Sequence, residues 1–353
     1  GLDAVVEAFG PGVLRPDGSL DRPALGRLVF ADEQARLRLN GILHPRIALR
    51  TGELIAGAGA DAIVVHDVPL LVENRMGAGY HLVLVVHAGV EERVRRLVVE
   101  RGMTEGEARS RIAAQADDAA RRAAADIWLD NSEARDEVLT AVDRLWTDRL
   151  VPFEANVREH RPAPRPEPVS VTGPDPAWPR QATRLAARIR AVVGSAALRI
   201  DHTGSTAVPG LAARDVIDLQ LVVADLTVAD AVRADLEDAG FVRLPGERWD
   251  TAPEGGALAE RVHTACDPGR AANLHLRGAD GPAWRWQLMF RDWLRAQDGE
   301  RDAYAAVKQG SAGVGIEAYQ AAKGPWLTQA LRRATAWATS TGWQPSEPGG
   351  TAG

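Results

Sequence analysis

Two stretches of this sequence carry residue types suited to phosphate chemistry. In the first, Val65-His66-Asp67-Val68-Pro69-Leu70-Leu71-Val72-Glu73-Asn74 runs from an apolar segment into an aspartate, turns at a proline, and then offers a carboxylate and an amide. An acid at the end of a buried strand is where α/β sheets meet their ligands, although the same aspartate would also serve as a turn residue or helix cap. In the second, Asp201-His202-Thr203-Gly204-Ser205-Thr206 precedes Asp215-Val216-Ile217-Asp218-Leu219-Gln220. A Gly-Ser turn can present backbone amides and a hydroxyl to a triphosphate, and residues two apart on a strand share one face. Two-metal nucleotidyl transfer needs two carboxylates on such a face and another nearby, yet Asp218 is followed by Gln220, a neutral substitute. Gly204, Ser205 and Asp218 are the candidate ligand residues here. His275, in Asn273-Leu274-His275-Leu276, is a further candidate that equally suits a core position between leucines.

The elements that must position these residues follow from periodicity. With 353 residues, 45% hydrophobic and 25% charged, the chain has the composition of a folded protein of about two domains. From Leu2 to about Leu150, helical patterns alternate with apolar runs one strand long, Ala62–Val65 and Leu82–Val86, which predicts an α/β domain with a parallel sheet. Glu91 to Glu100 reads as a surface helix with Val94, Leu97 and Val98 on one face. Thr104 and Glu107 form a capping-box pattern, so a helix is predicted from there through Ser110, Arg111 and Gln115. Prolines at 152, 162, 164, 166 and 168 predict an extended linker over residues 151–168. Beyond it, a helix near Arg180–Val193, strands near Leu198–Ile200 and Val216–Val223, and a helix marked by Trp286, Met289, Phe290, Trp293 and Leu294 predict an α+β domain over 169–340. The Pro/Gly/Ser-rich residues from Gln344 predict a disordered tail.

Composition also excludes function classes. A formal net charge of −6 argues against a surface built for nucleic acid or anionic membrane. No apolar stretch reaches the roughly 20 residues that span a bilayer. A single cysteine, Cys266, cannot form an internal disulfide and fits a reducing compartment, so the cytoplasm is the expectation. Only Lys308 and Lys323 are lysine; every other cationic side chain that is permanently charged is arginine.

Several separated motifs of residues 1–146 occur in one order: Leu39-Asn40-Gly41-Ile42-Leu43-His44-Pro45, then Asp67 to Asn74, then Arg111-Ile112-Ala113-Ala114-Gln115, Arg121, and Ala125-Asp126-Ile127-Trp128-Leu129-Asp130-Asn131. Together they resemble the dephospho-CoA kinases. The resemblance implies a P-loop kinase fold with lid helices, transfer of the ATP γ-phosphate to the ribose 3′-hydroxyl of dephospho-CoA, and Mg²⁺ entering with ATP. It places Arg101, Arg111 and Arg121 on a lid facing the ATP phosphates, Asp67 near Mg²⁺ or the acceptor hydroxyl, and Asn131 near adenine. His44, Leu71, Glu73 and Asn74 would line the CoA side. Phosphoryl transfer asks chiefly for such positioning and charge neutralisation.

One family feature is missing from the 353 residues. The loop Gly-x-x-x-x-Gly-Lys-Ser/Thr needs a lysine, and the first lysine is Lys308. The loop and the acidic segment after it would precede Gly1. The favoured expectation is a gene product that starts earlier, the alternative a degenerate kinase that binds without turnover; on either account residues 1–353 are by themselves expected to be catalytically inactive.

The second constellation, with Pro176-Ala177-Trp178-Pro179 before it and Phe290 to Arg295, Tyr304, Lys308, Tyr319 and Lys323 after it, resembles the GrpB family over about Val169 to Trp326. This implies a small nucleotidyltransferase-like fold. Its role is expected to be regulation or assistance in folding; the alternatives are nucleotidyl transfer in this domain, or a protein that as a whole binds nucleotide or CoA without catalysis.

Overall fold

The computed structural model describes residues 1–132, 134–251 and 256–347, and they fall into two compact units, Gly1–His66 and Asp67–Gly353. The first unit is helical: α1 (Leu2–Phe9), α2 (Arg22–Ala31) and α3 (Glu33–Ala56). Asp21 caps α2 by accepting from the Ala24 amide at 2.9 Å, and Asp32 caps α3 by accepting from the Gln34 amide at 2.8 Å. Val5, Val13 and Leu25 form the buried centre, with Phe9, Leu39, Ile42 and Leu43 packed around it. The run Ala62–Val65, expected as a buried strand, is irregular, and Val65 is 79% exposed. A strand of a parallel sheet needs hydrogen-bonded neighbours and covered faces, which an apolar run does not supply by itself.

The second unit begins with Asp67 in irregular, exposed chain rather than at the end of a strand. β1 (Leu84–His87) then crosses through α4 (Val90–Arg101), α5 (Glu105–Ala113) and α6 (Asp118–Ala124) to β2 (Ile127–Asp130), which pairs with β1 in parallel, Leu84 opposite Ile127. α4 matches its expected position. The capping box at Thr104 is complete: Thr104 Oγ1 accepts from the Glu107 amide at 3.3 Å, while Glu107 Oε2 accepts from the Thr104 amide at 2.9 Å. The helix stops at Ala113, two residues short of Gln115. Asp117 caps the next one, accepting from the Ala120 amide at 2.7 Å.

After α7 (Arg135–Leu145), five residues of wider π-helical turn lead into α8 (Val151–Arg158). Here the extended linker gives way to a helix. Pro152 sits in the first turn of α8 directly after the π-helical turn, so this proline lies within a helical run instead of forbidding one. Only from residue 161 is the chain extended through its prolines.

α9 (Trp178–Val193) precedes β3 (Arg199–Thr203), β4 (Ile217–Val223), α10 (Leu226–Ala231), α11 (Arg233–Asp238), β5 (Phe241–Arg243), β6 (Arg248–Thr251), β7 (Ala257–Ala265) and β8 (Ala272–Gly278). The sheet order is β3-β4-β8-β7-β5, with β6 on β7. β4 and β8 are parallel and the other pairs antiparallel, as an α+β domain requires. Strand alternation gives the sheet two characters. Ile200, Leu219, Leu221, Leu274 and Leu276 join Ala182, Leu185 and Ile189 of α9 in the main core. Asp201, Asp218, Gln220, Asn273 and His275 project to the other face. α12 (Ala283–Ala296) lies against that side at β3 and β8, followed by α13 (Asp298–Gly310) and α14 (Ile316–Thr341). Of the expected disordered tail, residues 348–353 lie outside the described residues. Gln344 and Ser346 are held, Ser346 by its carbonyl accepting from Arg199 Nη1 at 2.7 Å.

A polar seam joins β1 and β2 to the C-terminal half. Asp126 Oδ2 accepts from the Val83 amide at 2.8 Å and from Arg188 Nη2, and its Oδ1 accepts from Arg184 Nε at 3.0 Å. Both arginines come from α9. Arg149 forks onto Asp267 at 2.9 and 2.7 Å, and Phe153, Val242 and Cys266 form an apolar centre beside it with Leu82.

Candidate functional site

On the α4–α6 side, the structure brings together two groups assigned to opposite substrates. Glu73 Oε1 accepts from the Ala116 amide, between α5 and α6, at 2.8 Å. That amide, with the Arg121 charge nearby, holds the Glu73 carboxyl below its ordinary range. Arg121 Nη2 donates to Gln115 Oε1 at 3.0 Å. Arg121 also faces Arg93, whose Nε and Nη1 are buried without a hydrogen-bond partner and whose Nη2 lies 4.0 Å from Asp118. Arg93 was not among the residues singled out from sequence; its place on an apparently solvated helix concealed it.

Asn131 follows β2, its amide donating to the His87 carbonyl at 2.6 Å and its carbonyl accepting from Arg96 Nη2 at 2.7 Å. Arg101 and Arg111 are exposed, on α4 and α5, and Asn74 is exposed as well. Leu71 is half-buried, beside Gly77. His44 is exposed in the middle of α3, in the first unit. Glu73 and Arg121 thus converge, while Arg101 and Arg111 stand on solvent-facing surface.

On the polar face of the C-terminal sheet, Gly204 has φ +66°, and a Cβ there would collide with the Asp218 carboxylate. Glycine is required where the backbone approaches so closely. Asp218 Oδ1 accepts from Asn273 Nδ2 at 2.7 Å, and Asn273 Oδ1 accepts from Arg165 Nη2 at 2.6 Å. Gln220, two residues on, faces inward: its Nε2 reaches the Trp284 carbonyl at 3.2 Å and its Oε1 accepts from Arg277 Nη1 at 3.3 Å. His275 Nδ1 lies 2.9 Å from Glu260 Oε2, which also pairs with Arg277 at 2.8 Å. Gln220 and His275 therefore belong to a buried network of paired charges, and Asp218 is left with amide and cationic neighbours. Among the described residues, no group of three or more His, Cys, Asp or Glu gathers around a metal-sized site.

The two lysines of the chain meet beside Asp218. Tyr304 and Lys308 are four apart on α13, Tyr319 and Lys323 four apart on α14, and each ammonium lies over the tyrosine ring one turn back, at 4.5 and 4.2 Å. Lys308 is 1% exposed, and its Nζ has no hydrogen-bond partner. Burial, reinforced by the Lys323 charge, lowers the Lys308 pKa to about 7, and burial with Arg214 lowers that of Lys323 to about 8. Burial raises Tyr304 to about 12, against a hydrogen bond with Ser205. The repeated Tyr-x-x-x-Lys spacing, in a chain that otherwise uses arginine, was the signal that could have found this cluster.

Comparison with known proteins agrees with both halves. The dephospho-CoA kinase family matches residues 1–137, and the GrpB protein family matches residues 168–333. A dephospho-CoA kinase of Mycolicibacterium paratuberculosis is 46% identical over 98% of this chain and 89% of its own length. The chain belongs to the dephospho-CoA kinase family. The dephospho-CoA kinase of Mycobacterium tuberculosis is 43% identical with the same coverage, so both halves are shared by these relatives as one arrangement. Among solved structures, the conserved protein GrpB from Enterococcus faecalis aligns with 48% of this chain and 99% of its own length, at 24% identity and a TM-score of 0.40. No helix among the described residues is long and apolar enough to cross a membrane.

Proposed function

We propose that this member of the dephospho-CoA kinase family transfers the γ-phosphate of ATP to the ribose 3′-hydroxyl of dephospho-CoA, completing coenzyme A. The observation that carries the reading is the 46% identity to a named dephospho-CoA kinase across 98% of the chain. The contact of Glu73 with the Ala116 amide supports it, because it sets an acceptor-side carboxylate against the base of the lid that carries Arg121. Arg121, Arg111 and Arg101 neutralise the ATP phosphates as the lid closes, Asn131 faces adenine, and Leu71, Glu73 and Asn74 receive the CoA side. Exposure of Arg101 and Arg111 suits groups that engage only on closure. Asp67 is an exposed carboxylate, which fits Mg²⁺, an ion that keeps several waters and takes one or two carboxylates besides the substrate phosphates. When bound, the ion would offset phosphate charge.

Residues 1–353 contain no Gly-rich loop with its lysine, so a polypeptide limited to them is expected to bind dephospho-CoA and release no ADP. The test is ADP release on adding dephospho-CoA, measured for this polypeptide and for one extended upstream of Gly1. Release by the extended protein, lowered about 10²-fold in kcat/KM by Arg121→Ala as for loss of one transition-state charge donor, is the expected outcome. Tight dephospho-CoA binding with no ADP from either polypeptide would overturn the kinase assignment.

A further inference from the structure

Beside Asp218, charge is out of balance. Among the described residues, four cationic side chains gather there: Arg165 donates to Asn273, the amide partner of Asp218; Arg214 and Lys323 both lie over the Tyr319 ring, at 5.7 and 4.2 Å; and Lys308 stands next to Lys323. The Asp218 carboxylate faces Arg165 and Lys323. Buried cations are normally paired, because an unpaired charge away from water costs several kcal/mol. The Lys308 ammonium, 1% exposed and without a hydrogen-bond partner, departs from that rule, and the tyrosine rings beneath the two lysines only partly replace an anion. The cluster reaches solvent: Gly204 is exposed, and Ser205, Arg214, Asp218 and Lys323 are half-buried, whereas Tyr304 and Lys308 are buried.

We propose that this cluster is a receptor for an oligophosphate group, such as the linked phosphates of a nucleotide, and that it binds its ligand without a divalent metal ion. In a metal-dependent phosphate site, carboxylates hold the cations that neutralise the ligand. Here the second carboxylate position is Gln220, whose amide is spent on Arg277 and the Trp284 carbonyl, and Asn273 holds the Asp218 carboxylate with its amide. Fixed side-chain cations stand where bound metals would otherwise supply charge. Gly204 lets the backbone come close, and the Ser205 hydroxyl adds a donor at the mouth. The site is separate from the lid arginines and does not depend on the kinase reading.

The test is calorimetric titration of the full chain with inorganic tripolyphosphate in the presence of EDTA. Stoichiometric binding is expected, at least tenfold tighter than for inorganic phosphate. Lys323→Gln, at the half-buried mouth, is expected to weaken it about tenfold while leaving the melting temperature in place. Lys308→Met, which keeps the length and apolar stem of the side chain, is expected to weaken it 100-fold or more. Arg121→Ala, in the other half, is expected to leave it unchanged. Absence of binding by the unmodified chain, binding only when Mg²⁺ is added, or binding that Arg121→Ala removes and Lys323→Gln does not, would each overturn the proposal.

Discussion

The cations of the two halves are built in opposite ways. Arg101, Arg111 and Arg121 stand on short helices, exposed or half-buried, and the one with a fixed partner leans on a glutamine. Lys308 is buried on α13, and Arg165, Arg214 and Lys323 are half-buried, Arg165 held by Thr264 and Asn273 of β7 and β8 and Lys323 on α14. Exposed arginines lose side-chain entropy when they grip phosphate, which a lid that opens each turnover can tolerate. A partly buried cluster is already arranged, and folding has borne the desolvation. The first arrangement favours exchange and the second retention.

That contrast would fail most visibly if the halves were not mechanically joined, and the seam at Asp126 tests this with the largest expected effect. Asp126→Ala removes the acceptor shared by the Val83 amide, Arg184 and Arg188 and leaves buried guanidinium groups unpaired. Breaking a buried pair in this way costs about 3–5 kcal/mol. Because β1 and β2 are a two-stranded pair, marginal by itself, hydrogen exchange of the Leu84–His87 and Ile127–Asp130 amides should accelerate more than that of β4 and β8. Equal protection in variant and parent would show that the seam does not hold the lid-bearing half.

Gly204→Ala sharpens the other side of the comparison. The residue sits at φ +66° and ψ −168°, a region occupied almost solely by glycine, and an added Cβ meets the Asp218 carboxylate. A cost of about 1–3 kcal/mol is expected. Chemical denaturation should show it, and the lid arginines should be indifferent to it. A neutral result would mean that the turn can relax, and that the approach of Gly204 to Asp218 is not fixed.

What could be read beforehand divides along the same physical line. The α4 helix, the Thr104 capping box and the helix of Trp286 to Leu294 rest on contacts three or four residues apart, so local spacing suffices to find them. Asp218 and Gln220 could be placed on one strand face by alternation alone. Ala62–Val65 failed because strand formation depends on partners remote in the chain, and Pro152 because its meaning changes with its position in a helix. Lys308 and Lys323 were visible as residue types but not as neighbours. The repeated Tyr-x-x-x-Lys spacing marks each pair, but the meeting of the two pairs depends on α13 and α14 packing together, which neither repeat contains by itself.

The last effect, visible only on acidification, is a pH dependence from a buried histidine that neither cluster uses. His263 is fully buried and neither ring nitrogen has a hydrogen-bond partner. Burial, with Arg243 on β5 and Arg233 on α11 adding positive charge against Glu237 and Asp230, pushes its pKa down to about 4. The unfolded chain, near 6.5, then binds more protons than the folded one between those values. Stability is therefore greatest above pH 6.5 and falls as pH drops toward 4, by at most about 3 kcal/mol from this residue. His202, pushed to about 3 by burial and by Arg295 and Arg291, acts in the same direction and extends the loss further into acid. His263→Leu replaces an unsatisfied ring with an apolar group of similar bulk, so urea unfolding at pH 7 should change little while the slope between pH 6.5 and 4 flattens. A slope as steep in the variant as in the parent would assign the acid sensitivity to His202 and the paired carboxylates instead. Lys308, lowered to about 7, loses stability over a higher window, between 10.5 and 7 as pH falls, so the two effects separate in one titration.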